Sequence, residues 1–260
     1  MSSVSTHHHP ALSPIPALTA APFLAVTRES NIKTCSVTTT QKPSKPHQTQ
    51  ETLQLQPIKG LHFEPKTHKY TYRGKTIQAS VTTILSFNLD DFARQRIEAT
   101  RHEWEPRGNF LHQMCEHWWL GAAQLDPGPY KDWADNLFSH PLFTRYKAIG
   151  VETRLVDKRS RYAGSCDFVL QGPGTDGRTR TLVCDLKTKS RPDSAIGDHR
   201  GQLGAYCSML IQHWPTLWID NCLIVNSFPN KVEVSTYSVQ ECLAAWDDRY
   251  QAFADWKPSF

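Results

Sequence analysis

Two charged side chains stand close together in a segment that otherwise has the composition of a buried strand. Residues 183–189 read Val-Cys-Asp-Leu-Lys-Thr-Lys, and Asp185 and Lys187 lie two positions apart within them. Because side chains alternate between the two faces of a strand, Asp185 and Lys187 share one face while Leu186 packs on the other. A buried charge costs several kcal/mol unless it is paired or bound to a metal ion. The pair is therefore a structural ion pair or part of a functional site, and this segment alone leaves both open.

A second acid, Asp167, lies in the segment just before this one. Residues 162–170 are rich in strand-forming types, and residues 171–178 contain the Gly, Pro and Asp of a turn. A hairpin of this kind brings Asp167 beside Asp185 at one end of a sheet. Two neighbouring carboxylates repel each other unless they share a proton or bind a divalent cation. With Lys187 alongside, we favour the cation.

Three weaker features fit the same site. Glu152 begins a strand-like segment upstream and is a candidate third carboxylate. Gln202 and Tyr206 are four residues apart in a helical pattern, so they lie on one helix face. Gly108 and His112 share a face of an earlier predicted helix in the same way. Each feature alone carries little weight, so only the combination is informative.

Taken in order, these residues resemble the signature of the RecB-like exonucleases of the PD-(D/E)XK superfamily. That signature runs Gly-X-X-X-His, Glu, Gly-X-X-Asp, Asp-X-Lys and Gln-X-X-X-Tyr. Its parts stand here as Gly108 with His112, Glu152, Gly164 with Asp167, Asp185 with Lys187, and Gln202 with Tyr206. Residues 68–85 also resemble the hairpin and Ser-Val-Thr segment of phage-type members and of mitochondrial genome maintenance exonucleases. The resemblance spans roughly residues 60–256, and the ordered set is much more specific than any one part.

The resemblance implies a metal-dependent site for phosphodiester hydrolysis. Asp167, Asp185 and the backbone carbonyl of Leu186 are the implied ligands, and such hard oxygen donors suit Mg²⁺ or Mn²⁺. Hydrolysis needs a positioned water molecule and neutralisation of phosphate charge, and a divalent cation supplies most of this. Lys187 is expected to orient or deprotonate the attacking water if the metal ion and burial lower its pKa. The alternative role of Lys187 is a salt bridge to Asp185.

The other motif residues have implied roles and simpler alternatives. His112 is expected to join the metal ligands, which shifts preference toward Mn²⁺, and the alternative is a hydrogen bond to Glu116. Glu152 is expected to bind the metal directly or through water, or else to be a surface charge at a strand end. Gln202 is expected to contact the substrate or the water near the scissile phosphate, and the hydroxyl of Tyr206 to face DNA. A surface glutamine and a core tyrosine are the alternatives.

DNA contacts are predicted to be local. The chain has 29 Lys and Arg against 25 Asp and Glu, and four of these bases and two of these acids precede residue 59, which leaves a net charge of only +2 afterwards. This excludes a uniformly basic clamp and leaves a basic groove. The candidate substrate contacts are Arg107, Lys189 and Arg200. Trp104 is the candidate for stacking on the bases of a single strand, whereas most other nearby aromatic residues are expected in the core.

Residues 1–58 differ from the rest of the 260-residue chain. They are rich in Ser, Thr, Pro and Gln without apolar periodicity, so we predict a disordered tail at 1–58 and one nuclease domain at 59–260. The apolar stretch 15–26 contains two prolines and is too short to span a bilayer, so no membrane segment is predicted. The tail resembles an organelle transit peptide in its Ser and Thr content, but Arg28 is its one arginine, and a plain extension is favoured. We therefore expect an intracellular, cytoplasmic and nucleoid-associated protein, with organelle targeting as the alternative.

The seven cysteines are scattered and include no Cys-X-X-Cys pair, which favours a reducing compartment over a disulfide scaffold. Some relatives in the family hold an iron-sulfur cluster with one early and three closely spaced late cysteines. Here Cys207, Cys222 and Cys242 are separated by 15 and 20 residues, so no cluster is predicted. Cys166 and Cys184, each next to an acid, are expected to face away from it and pack in the core.

The order of elements predicts an α/β fold. It comprises a hairpin at 61–78, helices at 80–100, 107–120 and 130–147, strands near 151, 163 and 181, a helix at 195–213, strands near 219 and 231, and a last helix from 238. A helix that crosses between strands implies a mixed sheet with helices on both faces. This agrees with the α/β/α sandwich core of the PD-(D/E)XK nucleases, with an N-terminal β-hairpin and helices added.

The expected function is that of a metal-dependent DNA exonuclease acting at single-stranded ends or flaps. Such an enzyme serves DNA repair, recombination or replication, and protein partners from a replication or recombination system are expected. A catalytically inactive nucleic-acid-binding module and a subunit of a DNA-processing complex are the alternatives.

Overall fold

The computed structural model describes residues 54–159, 161–191 and 193–256, and the predicted tail before residue 54 lies outside them. The strands are β1 Leu61–Glu64, β2 Lys69–Tyr72, β3 Lys75–Thr76, β4 Lys147–Val156, β5 Ala163–Pro173, β6 Thr179–Thr188, β7 Asn221–Ser227 and β8 Val232–Tyr237. The α-helices are α1 Val81–Ser86, α2 Asp91–Ala99, α3 Arg101–Leu120, α4 Lys131–Ser139, α5 Pro141–Arg145, α6 Arg200–His213 and α7 Val239–Trp256. A short 3-10 turn, Gly128–Tyr130, precedes α4.

A five-stranded mixed sheet forms the centre of the structure, with strand order β4-β5-β6-β7-β8. Only β6 and β7 pair in parallel, because α6 carries the chain across one face of the sheet between them. The other neighbouring strands are antiparallel. Residues 181–186 of β6 and 222–227 of β7 are buried without interruption, as in strands covered on both faces.

Alternating side chains of the sheet enter two apolar layers. Leu182, Cys184 and Leu186 of β6 pack with residues of α3, α4 and α5. Val183 of the same strand packs in a second cluster with residues of α1, α6 and α7. The predicted α/β class, with a mixed sheet and helices on both faces, is confirmed at this level.

A separate three-stranded antiparallel sheet contains the predicted hairpin, with β1-β2-β3 in order. Its apolar side chains, among them Tyr70 and Tyr72, pack with Val156 and Ala163 at the ends of β4 and β5. The amide of Ala163 donates to the carbonyl of Ala79 at 3.2 Å, which joins the following segment to the end of β5. The small sheet therefore adds to the core without extending the central sheet.

Residues 54–58 were assigned to the tail by composition, yet in the structure they lie along the outer edge of β4. The amide of Leu55 donates to the carbonyl of Ile149 at 2.8 Å, and Leu55 and Ile58 pack against the core. β4 is an edge strand of the central sheet and has free backbone groups to offer. The folded part of the chain therefore reaches at least to residue 54.

Several predicted helix boundaries are wrong. α3 begins at Arg101, before Pro106, and Arg101 pairs with Glu105 at 3.0 Å across its first turn. The predicted helix 130–147 is two helices, since Pro141 holds the preceding His140 in an extended conformation. α6 begins at Arg200, five residues later than predicted. Within the described ranges, the structure has no helix with the length and apolar character to cross a membrane.

The close contact of α6 with α7 predicts a steric requirement for glycine at one position. A Cβ atom on Gly204 would lie 1.9 Å from the Cys242 carbonyl oxygen, whereas one on Gly201 would lie 3.4 Å from the nearest atom. Gly204→Ala should therefore lower the free energy of unfolding by about 1–3 kcal/mol, as overpacking does. Gly201→Ala, on the same helix, should be neutral or slightly stabilising. Urea unfolding of both variants measures this, and equal stability of the two would contradict the packing described.

Candidate metal centre

Asp167 and Asp185 meet at one end of the β5–β6 ladder. The last pair of that ladder is Phe168 with Cys184, so the next residue of each strand is one of the acids. Both are buried, with 7% and 1% of their surfaces exposed. Oδ2 of Asp167 accepts a hydrogen bond from the backbone amide of Leu186 at 2.7 Å. The hairpin predicted from sequence therefore brings the two acids together.

The strands are irregular at this point. On β5, Cys166 packs toward α6 and α7 while Phe168 packs toward α3 and α4, although residues two apart normally share a face. Cys166 pairs with Thr153 of β4, and Phe168 pairs with Val151. Glu152 lies between those two β4 residues in sequence, and its φ is +44°. A left-handed conformation costs a non-glycine residue about 1–2 kcal/mol. Backbone strain thus coincides with the acids, as it often does at functional sites.

Glu152 lies in the middle of β4, which corrects the prediction that it opens a strand. It is half-buried, and its Oε2 accepts a hydrogen bond from Oγ of Ser165 at 2.9 Å. Arg154 lies 3.4 Å from the same oxygen. These contacts aim the carboxylate toward Asp167 and rule out a free surface charge. Sequence reasoning missed Ser165 and Arg154, although Ser165 stands inside the Gly164-to-Asp167 motif.

His112 reaches the two acids from α3. The helix continues through Pro106 and Gly108 and ends at Gly121, whose φ is +67°. Nδ1 of His112 lies 3.5 Å from Oε1 of Glu152 and 3.6 Å from Oδ2 of Asp167. Its Nε2 lies 3.3 Å from the Leu186 carbonyl oxygen. Within the described residues, the ring therefore pairs with these groups and not with Glu116.

The donor set fits a divalent cation. His112, Glu152 and Asp167 each offer one ligand atom, and these atoms lie within 4.8 Å of one another. Ligand atoms around a six-coordinate ion with bonds of about 2.1 Å lie about 3 Å apart, so modest side-chain shifts would enclose an ion. The group is an arrangement able to hold a metal ion and is not specific to one.

Asp185 was predicted as a ligand but is held by other partners. Its Oδ1 accepts from Nε2 of Gln202 at 2.7 Å, and its Oδ2 lies 2.6 Å from Nζ of Lys187. Each oxygen of Asp185 therefore has a partner among the described residues, and the donor group of His112, Glu152 and Asp167 forms without it.

Lys187, Gln202 and Tyr206 form a connected network with Asp185. Nζ of Lys187 donates to Oε1 of Gln202 at 3.0 Å, and Nε2 of Gln202 donates to the Tyr206 hydroxyl at 2.9 Å. The shared strand face of Asp185 and Lys187 and the shared helix face of Gln202 and Tyr206 thus follow the predicted spacing. Tyr206 is buried and its hydroxyl faces Gln202, which differs from the predicted orientation toward DNA. It acts on the site through Gln202.

Burial and the charges of neighbouring groups set the pKa values of Asp167, His112 and Glu152. Burial, only partly opposed by the charge of His112, raises the pKa of Asp167 to about 7. Burial also lowers the pKa of His112, but the charges of Asp167 and Glu152 outweigh it and raise that pKa to about 9. For Glu152, the hydrogen bond and charge of His112 outweigh burial and lower the pKa. At neutral pH a protonated imidazole therefore occupies the position of a cation between the two carboxyl groups.

Lys187 is held as an ammonium. Burial lowers its pKa, but the charges of Asp185 and Asp167 outweigh burial and raise the pKa above its usual value. This differs from the lowered pKa that the predicted role as a base requires, because Asp185 contacts Nζ directly. In this state Lys187 is suited to donate hydrogen bonds and to stabilise negative charge.

The three predicted substrate contacts have different environments. Arg107 is 6% exposed; its Nε donates to Oγ1 of Thr188 at 3.4 Å, and its guanidinium lies 5.4 Å from the Trp133 ring centroid. Arg107 therefore joins α3 to the end of β6 and is not available to a substrate, which corrects the prediction. Arg200 is partly exposed and pairs with Asp198 at 2.7 Å. Lys189 is half-buried and lines an open pocket.

Asn226 is a further polar residue that sequence reasoning missed. It is fully buried on β7, directly beside Lys187 of β6, and its amide nitrogen and oxygen have no hydrogen-bond partner among the described residues. An unpaired buried amide costs about 1–3 kcal/mol. The signal in the sequence was an asparagine at the end of the apolar run Cys222–Val225.

Comparison with known proteins leaves the family open. No protein-family model matches the chain, and no curated protein matches it. One similar solved structure is described as the crystal structure of SSO0001. It aligns over 54% of this chain and 71% of its own, with 14% sequence identity and a TM-score of 0.24. A TM-score this low does not define a common fold.

Stability and metal binding should depend on pH through Asp167. Because its pKa is raised from 3.8 to about 7, the folded protein binds this proton more tightly than the unfolded chain does. The metal-free protein should therefore lose stability as the pH rises toward about 7, and His112, whose pKa is raised to about 9, extends this loss above pH 7. A divalent cation needs the ionised carboxylate and should bind more tightly over the same range. Thermal unfolding at about pH 6 and about pH 8, with and without Mn²⁺, measures both effects.

Two substitutions provide the control for this experiment. Asp167→Asn removes one titrating group at similar size and should reduce both the pH dependence and the stabilisation by Mn²⁺. Asp176→Asn changes an aspartate that pairs with Arg178 and Arg180 in a surface turn, and it should retain both. Stabilisation by Mn²⁺ that is independent of pH, or that survives in Asp167→Asn, would contradict the assignment.

Proposed function

We propose that this chain is a divalent-metal-dependent nuclease that hydrolyses phosphodiester bonds in DNA. The observation that carries the proposal is the convergence of a His, Glu and Asp donor group with an adjacent Asp–Lys–Gln network at one end of a buried sheet. The residues come from β4, β5, β6, α3 and α6, in the order of the RecB-like signature. Convergence of all five separated motif parts is much less expected by chance than any one contact.

The fold supports the same proposal. A mixed sheet between two helix layers agrees with the α/β/α core expected for the PD-(D/E)XK superfamily. The polar residues gather at the end of β6, and ligand sites of α/β sheets commonly lie beyond the carboxyl ends of strands. We therefore propose membership of that superfamily together with the activity.

His112, Glu152, Asp167 and the Leu186 carbonyl would hold the cation. When bound, a divalent cation supplies charge neutralisation at the phosphate and a more acidic water molecule. The chain's own residues then bind and orient the reacting groups. The ammonium of Lys187 donates hydrogen bonds to the attacking water or to a phosphate oxygen as negative charge develops.

Gln202 sets the direction of the Lys187 ammonium. Its Oε1 accepts from Nζ, and its Nε2 is fixed by Asp185 and Tyr206, so the amide cannot rotate freely. The ammonium is thereby held over the end of β6, on the side where a phosphate would meet the donor group. Positioning of this kind lowers the entropic cost of reaching the transition state.

We further propose an exonuclease that acts at single-stranded ends or flaps. This finer assignment rests on the resemblance to RecB-like exonucleases and on the local placement of positive charge around the site. Such an activity serves DNA repair, recombination or replication, and its protein partners would come from those systems.

Cleavage of defined DNA substrates tests the proposal. Purified protein with Mg²⁺ or Mn²⁺ should degrade end-labelled linear single-stranded DNA and leave circular single-stranded DNA intact. Lys187→Ala and Asp185→Asn should each lower the rate by about 10²–10⁴-fold, the usual effect of losing a positioned proton donor or acceptor. Lys231→Ala is the matched control, because Lys231 pairs with Glu233 at the surface, and it should cleave at the wild-type rate.

The outcomes separate the alternatives. Cutting of the circles would contradict the exonuclease assignment, and the absence of metal-dependent cleavage of either substrate would contradict the nuclease. DNA binding without cleavage would instead support the inactive binding module, whose motivation is that Asp185, Lys187 and Gln202 already satisfy one another. Normal cleavage by Lys187→Ala would place the activity outside this site.

A further inference from the structure

Two openings with different linings flank the site. One, of about 420 Å³, gives access to the donor group, and its lining includes the three acids Glu116, Glu152 and Asp167 together with His112 and Arg154. Its carboxylates disfavour contact with a nucleic-acid backbone until a cation is bound. This opening is suited to the entry of metal ions and water.

The second opening, of about 660 Å³, has a different lining. Its lining includes Arg96 of α2, Trp104 of α3, and Lys189 and His199 from the segment between β6 and α6. Of the described residues that line it, none is acidic. The pocket is therefore complementary in charge to a phosphate backbone.

This second pocket lies next to the Lys187 side of the site. Lys189 follows Lys187 by two residues at the end of β6, and its amide donates to the carbonyl of Ser227 at 2.8 Å, which fixes the chain there. The carbonyl of His199 accepts from the amide of Gln202 at 3.1 Å, so His199 stands at the start of the helix that carries Gln202. A strand lying in the pocket would thus lead directly to the Lys187 ammonium.

Trp104 offers an aromatic surface that the core does not use. It is 38% exposed, and its Nε1 donates to the Ile97 carbonyl at 3.2 Å, which satisfies the polar group and fixes the indole between α2 and α3. α2 itself buries no residue, and Phe92 and Ile97 are exposed apolar side chains on it. An exposed apolar and basic wall beside a polar site indicates a binding surface.

We infer that this pocket binds an unpaired nucleotide of a single DNA strand, with a base stacked on Trp104 and the flanking phosphates against Arg96 and Lys189. The inference rests on the proposed nuclease function and adds the side from which the strand enters. The internal bases of a duplex have no free face for Trp104, so the pocket should favour single strands.

Fluorescence anisotropy with a labelled oligothymidylate, the full chain and EDTA measures binding without cleavage. Trp104→Leu should weaken the affinity about 5- to 100-fold, the range for loss of one base–aromatic stack. Trp104→Phe keeps a ring but loses the bond to Ile97, and it should remain close to wild type. Arg96→Ala and Lys189→Ala should each weaken binding and reduce the salt dependence by about one phosphate contact.

The control is Trp218→Leu, which should bind as wild type does. Trp218 is 79% exposed but precedes β7, whose first residue pairs with Leu182, so it lies at the end of β6 remote from Lys187. Wild-type affinity of Trp104→Leu, equal loss in Trp104→Phe, or equal affinity for a duplex would each overturn the inference. Metal-dependent cleavage by the wild-type protein is followed separately, so failure of the nuclease proposal is distinguished from failure of the pocket assignment.

Discussion

The burial of carboxylates at one end of the central sheet is the constraint on which the site depends. Asp185 and Asp167 are almost fully buried, and Glu152 is half-buried beside them. Uncompensated, each buried charge would cost several kcal/mol, and loss of one partner from a buried pair costs about 3–5 kcal/mol. Each carboxylate has partners that offset this cost. The Leu186 amide donates to Asp167, and His112 of α3 lies beside Glu152. Lys187 and Gln202 contact Asp185.

This compensation explains why helices from opposite faces of the sheet meet at the same strand ends. α3 must approach closely enough for His112 to reach two acids and the Leu186 carbonyl. α6 must approach closely enough for Gln202 to reach Asp185, and Gly164 permits this, because a Cβ there would lie 2.8 Å from Val81 and 3.1 Å from Tyr206. The glycine of the Gly-X-X-Asp motif is thus a packing requirement beneath the site. Gly108 has no such role, since a Cβ there would meet only Thr188, at an ordinary 3.8 Å.

The sequence predicts side-chain positions correctly where they follow from the two-residue alternation of a strand or the four-residue spacing along a helix face. Alternation along β6 places Asp185 with Lys187, and the helical repeat of α6 places Gln202 with Tyr206. Sequence reasoning failed where tertiary packing decides. The burial of Arg107 depends on the contact of α3 with Trp133, and the strained backbone of Glu152 depends on the pairing of β4 with β5. No local pattern contains those distances.

The separation of Asp185 from the donor group has the same origin. Spacing alone predicts that two facing acids share a cation, but it does not show that Gln202 and Lys187 already occupy both oxygens of Asp185. Whether an acid binds a metal ion or pairs with another side chain depends on the residues that pack against it. For Asp185 these include Gln202 of α6, which is distant in sequence and reaches Asp185 only because α6 crosses the sheet.

The two roles considered for Lys187, ion pair and functional group, are compatible on physical grounds. Burial alone would lower the pKa of Lys187, and the charges of Asp185 and Asp167 are what keep that pKa raised. The ion pair therefore maintains the charge that would act on a phosphate. A cation bound at Asp167 would add positive charge nearby and weaken the hold of the carboxylates on the ammonium. In the proposed nuclease, Lys187 would then be free to turn its remaining donors to an incoming phosphate, and the ion pair with Asp185 would be its resting state.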